Sequence, residues 1–339
     1  MTGETKKFKK AVQKIGTHNG MFHCDEVLAV SMLKMLPECH EAEVVRSRDE
    51  AVLRECDIVV DVGAVYNPEL HRYDHHQKSF SESMRSLTAG AKPWVTRLSS
   101  AGLIFHHFGR DVLDTQLGPA ASEHREVVFD RLYQTFMEEI DAVDNGVNQH
   151  DGTPRYQVNS TIGARVSRLN PAWNDTQPDE AACFERARRL VTAEFTDAVQ
   201  RIWTVWYPAR RLVEQAVIGR HQVDPSGLIM ELPKGGVPWK DHLFVLEQEQ
   251  QPPCQVMFVL FTDQQGQWRV QAVPPFTGSF DMRVPLKASW RGLRGEQLSK
   301  EAGIDDGVFV HASGFIGGAT SHRSVLQMAR QSLQEAGKL

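Results

Sequence analysis

Apolar residues in the first half of the chain fall into short blocks that alternate between two periods. Lys14-Ile15-Gly16-Thr17 reads as a short strand entering the loop His18-Asn19-Gly20-Met21-Phe22-His23. Val27, Leu28, Val30, Leu33 and Leu36 then recur at helical spacing up to Pro37, where the helix must stop. Ala42–Arg46 predicts a second strand. Asp57–Gly63, apolar through its centre, predicts a third that is buried on both faces. A helix is expected to start at Ser99–Gly102 and run through Phe108, and a longer one to span Glu126–Val143, closed by Asn145-Gly146.

This alternation predicts βαβ units: an α/β domain with a mainly parallel sheet flanked by helices. Ligands in such sheets sit beyond the carboxyl ends of the strands. His18, Asp61 and Asp74 all fall at or just past such an end. After a Glu- and Arg-rich helical stretch, about Glu180–Ala216, the pattern changes. Leu243–Glu247, Gln255–Thr262 and Gln267–Val273 read as strands, the last two joined by a turn at Asp263–Gly266. Val308–His311 and a helix from about Ser321 complete a smaller α+β domain. The expected division is a disordered extension over 1–13, the α/β domain over 14–216 and the α+β domain over 217–339.

Composition narrows the function classes. The chain has 339 residues, 41% hydrophobic, enough for two separate cores. No apolar run approaches the ~20 residues that cross a bilayer, and the polar start Met1–Lys10 lacks a signal core. Five cysteines without a C-x-x-C pair point to free thiols in a reducing compartment. A net charge of −5 excludes a broadly basic, histone-like binder but not a local basic groove. Of fourteen histidines, six (His18, His23, His40, His71, His75, His76) precede residue 77, so metal or proton chemistry is to be sought there. Nothing in the sequence reports an oligomeric state.

Four clusters carry that chemistry: His18…His23-Cys24-Asp25, Asp61, Asp74-His75-His76, and Asp141-Ala-Val-Asp144. Singly, each reads as a solvated loop or a helix cap. Together they supply only nitrogen and oxygen ligands at one predicted sheet edge. Such a set suits two divalent ions ~3.5–4 Å apart that share a carboxylate and a water. Mixed N/O coordination favours Mn²⁺ or Mg²⁺ over thiolate-bound zinc. Cys24 is expected to point away from the ions, and His106-His107, inside an apolar helical pattern, reads as structural.

Asp74-His75-His76, a strand ending in Asp61 and the His18…His23-x-Asp25 loop together resemble the DHH phosphoesterase superfamily. Within it, Thr17–Glu26, Tyr73–Gln77, Asp144-Asn145-Gly146, Arg168–Trp173, Val223–Gly227 and His311–Gly318 resemble the melanocyte proliferating gene family of exonucleases. The matches run from about residue 15 to the C-terminal helix. The resemblance implies a DHH-type catalytic domain and a 3′→5′ exonuclease on single-stranded RNA, dependent on two Mn²⁺ ions, with Mg²⁺ or another divalent ion as the alternative. It also implies a mitochondrial and nuclear location. Carried over by position, His18, His23 and Asp61 hold one ion, and Asp25, Asp61, His75 and Asp144 the second, with Asp61 as the bridge. Asp141 stays open as an alternative to Asp144. Asp74 would orient the ligand histidine and His76 would face the substrate phosphate. Many DHH proteins carry aspartate at the position of His23, so the ions here would meet less negative charge.

His311-Ala-Ser313-Gly314-Phe-Ile-Gly317-Gly318 is expected to precede a helix and to bind phosphate through free N–H groups. The resemblance adds substrate binding for these residues, with His311, His322 and Arg323 as candidate basic contacts. Lys78, Arg85, Arg165, Arg168, Lys234 and Lys240 are further cations, while Arg188-Arg189 reads as a solvated ion-pair face. Trp173, Trp239 and Trp290 read as packing residues first and as base-stacking residues second. Two other functions compete: a hydrolase of small phosphoanhydrides or short nucleotides, and a non-catalytic RNA-binding protein tied by structural ions.

Overall fold

The computed structural model describes residues 10–339, and the chain divides between Trp203 and Thr204. It is a mixed α/β structure with two five-stranded sheets, one in each unit, flanked by helices. Of the extension expected over 1–13, residues 1–9 lie outside the described residues. Val12 is buried with its N–H donated to Glu38, and Gln13 donates to Asp57, so residues 12 and 13 are held by the first unit.

The strands of the first unit are β1 (Lys14–Thr17), β2 (Glu43–Arg46), β3 (Ile58–Val60), β4 (Tyr66–Asn67) and β5 (Arg72–Tyr73), in the order β2-β1-β3-β5-β4. β1 runs parallel to β2 and β3, β3 runs parallel to β5, and β4 is antiparallel at the edge. All three residues of β3 are buried, as befits a strand covered on both faces. The helices are α1 (Cys24–Lys34), α2 (Glu50–Arg54), α3 (Met84–Leu87), α4 (Ser100–Leu117), α5 (Arg125–Leu132), α6 (Glu138–Asp144), α7 (Ile162–Ser167) and α8 (Glu180–Arg201). α1 is buried continuously from Asp25 to Leu33. It has no polar face to give to water, and so it packs between α4 and α8. The expected helix over 126–143 is interrupted by a π-helical segment, Tyr133–Met137, between α5 and α6. Such insertions rotate everything that follows and are common at functional sites.

The second unit begins within another π-helical segment, Ile202–Trp206, and continues with α9 (Tyr207–Val223), α10 (Lys240–Glu249), α11 (Gly295–Ala302) and α12 (His322–Glu335). The boundary expected near residue 217 falls inside α9. Val213, Ala216 and Val217 of this helix share a core with Met230, Trp239 and Leu243, which ties it to the second unit. The strands β6 (Ile229–Glu231), β7 (Phe258–Thr262), β8 (Trp268–Ala272), β9 (Gly307–Val310) and β10 (Ile316–Ala319) form a sheet in the order β6-β7-β8-β10-β9. Only the β6–β7 pair is parallel. Leu243–Glu247, expected as a strand, lies in α10. Leu243, Leu246 and Glu247 are buried at positions i, i+3 and i+4, the helical spacing.

Trp290 and Trp239 are buried in the cores of this unit. Trp173, in the first unit, is 95% exposed, which corrects its reading as a packing residue. Among the described residues no helix is long and apolar enough to cross a membrane.

Candidate metal centre

His18, Asp61 and Asp74 follow directly on β1, β3 and β5, the adjacent parallel strands, and therefore emerge at one edge. Asp61 ends its strand by taking a left-handed backbone, φ 59°. That conformation is strained for any residue but glycine and tends to persist where surrounding contacts enforce it. Those contacts are present: Asp61 Oδ2 lies 3.4 Å from His18 Nε2, Oδ1 lies 3.4 Å from His75 Nε2, and the Ser100 hydroxyl donates to Oδ1 at 3.0 Å.

Three overlapping groups bring ligand atoms within 4.8 Å of one another: His18, His23, Glu26 and Asp61; Asp61, His75 and His76; and Asp25, His75 and Asp144. These groups can hold metal ions. Cys24 belongs to none of them, and burial and then the Glu26 charge push its thiol up to about 12, so it stays neutral. The expected ligands His18, His23, Asp25, Asp61, His75 and Asp144 all gather here. Glu26, seen in the sequence only as part of a motif, is fully buried beside them. Its Oε1 is 3.0 Å from His18 Nε2, and both of its oxygens accept the His23 backbone N–H. The signal for it was its position, one residue past Asp25 in the first turn of α1.

The electrostatics are those of a site built for positive charge. Burial first, then Asp61, Asp144 and Glu26, push the Asp25 carboxyl well above the usual range. Against burial, which favours the neutral ring, Asp61 and Glu26 raise His18 to about 10, while Asp144 and Asp61 raise His75 to about 9. Asp61 is held low against its burial by His18 and His75. Without bound cations, the cluster must trap protons to tolerate its crowded carboxylates. Both Asp25 oxygens and both His75 ring nitrogens are buried with no hydrogen-bond partner. Polar atoms left in this way in a native interior ask for a missing partner, and an all-N/O donor set fits a hard or borderline divalent ion. His18 Nδ1 faces the Asn19 carbonyl at 3.1 Å, so donation there leaves the Nε2 lone pair for an ion.

Asp141 takes no part in these groups. It is buried on Ser99, whose N–H and hydroxyl donate to Oδ1, and on Tyr133, whose hydroxyl donates to Oδ2. Its carboxyl is raised to about 7 by burial. A Cβ at Gly102 would lie 2.3 Å from Asp141 Oδ1, so this seat requires glycine. Asp74 differs from expectation. It reaches His76 rather than the ligand histidine His75, accepting from the His76 N–H at 3.1 Å with His76 Nδ1 at 2.8 Å, and it accepts the Ala64 N–H at 2.6 Å. The Asp74 hydrogen bond is the main cause raising the His76 pKa. A cavity of about 350 Å³ opens on the cluster, lined in part by His23, Asp25, Asp61, His76, Asp144 and Gly163.

A model of the family MYG1_exonuc, uncharacterised protein family (UPF0160), matches residues 14–333. The chain belongs to this family. It is 52% identical to the human MYG1 exonuclease over 331 residues, covering 97% of this chain and 88% of that protein. It is 53% identical to the Bos taurus MYG1 exonuclease over 327 residues, 96% of this chain and 86% of that protein. The MYG1 protein of Saccharomyces cerevisiae is 42% identical over 334 residues, 96% of each chain.

In the second unit the glycine motif folds differently from expectation. Residues 311–315 are the turn between β9 and β10, Gly314 takes φ +75°, and α12 begins only after its cap, Ser321. Gly317 and Gly318 lie in β10, paired on both sides with β8 and β9. A Cβ there would stand 2.9 Å from Met328 Cε or 2.6 Å from Arg269 Nη1, the mobile ends of two side chains, and the strand pairing on both sides gives these residues a place in a sheet and not in a loop of free N–H groups. His311 Nδ1 is 3.0 Å from the Ser313 hydroxyl at the exposed turn. His322 Nε2 is 2.9 Å from Glu231, and Arg323 is exposed.

Proposed function

We propose that this chain is a metal-dependent exonuclease that removes nucleotides from the 3′ end of single-stranded RNA, working with two Mn²⁺ ions. The observation that carries the reading is Asp61, whose two carboxylate oxygens face His18 and His75 in opposite groups. Family membership with relatives named exonucleases supports the reaction class. Ions bound there would supply a hydroxide from a shared water at neutral pH and neutralise the phosphodiester oxygens.

The chain's own residues do the rest. His18, His23, Glu26 and Asp61 form one ligand set, and Asp25, Asp61, His75 and Asp144 the other. Ser100 fixes the Asp61 carboxylate. His76, held at Nδ1 by Asp74 and exposed at the cavity, offers an Nε2–H to a phosphate oxygen when its ring is charged, the form that the Asp74 hydrogen bond favours. A cavity of about 350 Å³ takes a single small group, which suits a terminal nucleotide. In the second unit, His311, Ser313 and Arg323 are exposed.

The cavity size also favours a second reading, hydrolysis of dinucleotides or small phosphoanhydrides. RNA labelled at either end, incubated with Mn²⁺, separates the two. Stepwise shortening from the 3′ end, lost in Asp61→Asn and His75→Ala, supports the proposal. Shortening from the 5′ end refutes the polarity, and turnover confined to dinucleotides or pyrophosphate favours the second reading.

A further inference from the structure

α7 separates the metal cavity from a second concavity within the first unit. Thr161, Ile162, Gly163 and Ser167 line the cavity, whereas Arg165, Arg168 and Leu169 line a groove of about 450 Å³ together with Arg186, Arg189 and Leu190 of α8. At 100° per residue, 162, 163 and 167 point to one side of α7, and 165 and 168 to the other. The groove and the cavity therefore lie one helix thickness apart, roughly 10–12 Å.

The groove holds four guanidinium groups. Arg165 pairs with Glu194 at 2.6 Å, and Arg168 donates to the Asn159 carbonyl at 2.7 Å, a contact that leaves its charge uncompensated. Arg186 and Arg189 stand at i and i+3 on one exposed face of α8. Among the described residues neither has an ion-pair or hydrogen-bond partner, whereas their neighbour Arg188 is paired with Glu185. In a chain of net charge −5, three uncompensated arginines in one groove are a local reversal of sign. Trp173, five residues past Arg168 in the chain and outside the groove's own lining, carries a 95% exposed ring. Guanidinium groups with an exposed aromatic ring are the pairing that tracks a single strand, phosphates on the cations and bases on the ring.

We propose that this groove binds the phosphodiester backbone of single-stranded nucleic acid on its way to the metal cavity, with α7 as the sill between them. The proposal rests on the nucleic-acid reading of the metal centre, but its test does not need turnover. Fluorescence anisotropy of the full chain with Mn²⁺ and a labelled, phosphorothioate-capped oligouridylate reads binding across a range of NaCl concentrations. Each phosphate contact on a single strand contributes about 0.7 to the slope of log Kd against log salt, so R186A/R189A is expected to weaken binding and flatten the slope by about 1.4. R186K/R189K, which keeps the charge, is expected to retain the slope. An unchanged slope in the alanine variant, with its melting temperature intact, overturns the proposal. So does labelled polyglutamate binding with the arginine-dependent slope while the oligouridylate fails to bind, because the groove would then take an acidic protein segment. A wild type that binds with a slope about 1.4 steeper than R186A/R189A yet cleaves nothing supports the groove and refutes the nuclease reading alone.

Discussion

His75 Nε2 and Asp61 Oδ1 stand 3.4 Å apart in the buried floor of the first unit, yet neither ring nitrogen of His75 makes a hydrogen bond. Asp144 is nearer still, at 3.1 Å from the same nitrogen, again without hydrogen-bond alignment. Side chains that pair with one another orient to satisfy one another. Here the ligand atoms lie within 4.8 Å of one another, close enough to hold an ion.

Glu26→Gln tests the residue that joins the expected ligands. The amide keeps the shape and the contact with the His23 N–H but removes a buried charge facing His18. We expect Mn²⁺ affinity to fall by at least the roughly 10–100-fold seen when a group supporting a metal ligand is lost. Isothermal titration of the metal checks this, and unchanged affinity would show that Glu26 serves only to cap α1.

Ser100→Ala removes the hydroxyl that donates to Asp61 Oδ1. Asp61 then loses one restraint while keeping its charge. The expected outcome is a fall in kcat of about 10–100-fold, with folding stability lowered by only about 1 kcal/mol. Kinetics and thermal melts measured on the same preparation separate the two effects.

Gly102→Ala should be severely destabilising, although the change is one methyl group. The added Cβ meets the carboxylate of Asp141, which Ser99 and Tyr133 hold in place. Overpacking of this kind costs about 1–3 kcal/mol, read as a shift of the denaturant midpoint.

The first unit was legible in its sequence where short-range rules decide the outcome. β1 needed only its apolar core and the loop after it, and the strand-end rule brought His18, Asp61 and Asp74 to one edge without knowledge of the pairing. Asp141 and Asp144 could not be told apart, because three residues along a helix leaves both on nearly the same face, and only the distant contacts of Asp141 with Ser99 and Tyr133 keep it out of the cavity that Asp144 lines. Leu243–Glu247 reads as a strand because its run of four apolar residues, Leu243–Leu246, fits either a strand or a buried helix. Gly317 and Gly318 resemble a phosphate loop, but they lie in β10 between β8 and β9, a pairing of distant strands that no local pattern reports.

Acid should destabilise the metal-free protein through His106 and His107. Burial, and then Arg110 and His106 respectively, lower them to about 4 and about 3. The unfolded rings titrate near 6.5, so the unfolded state takes up protons that the folded state refuses. Their stabilising contribution is complete above pH 6.5 and is lost as the pH falls toward 4 and below. Urea denaturation of the metal-free protein over this range checks the effect, and His106→Gln should shrink it.

The shared role of Asp61 is open to direct spectroscopic test. Metal-free protein titrated with Mn²⁺ and followed by electron paramagnetic resonance should develop an exchange-coupled signal as the second ion binds, and Asp61→Asn should abolish that coupling while the fold persists. Two ions that bind with only uncoupled spectra, or a coupled pair that survives in Asp61→Asn, would contradict it.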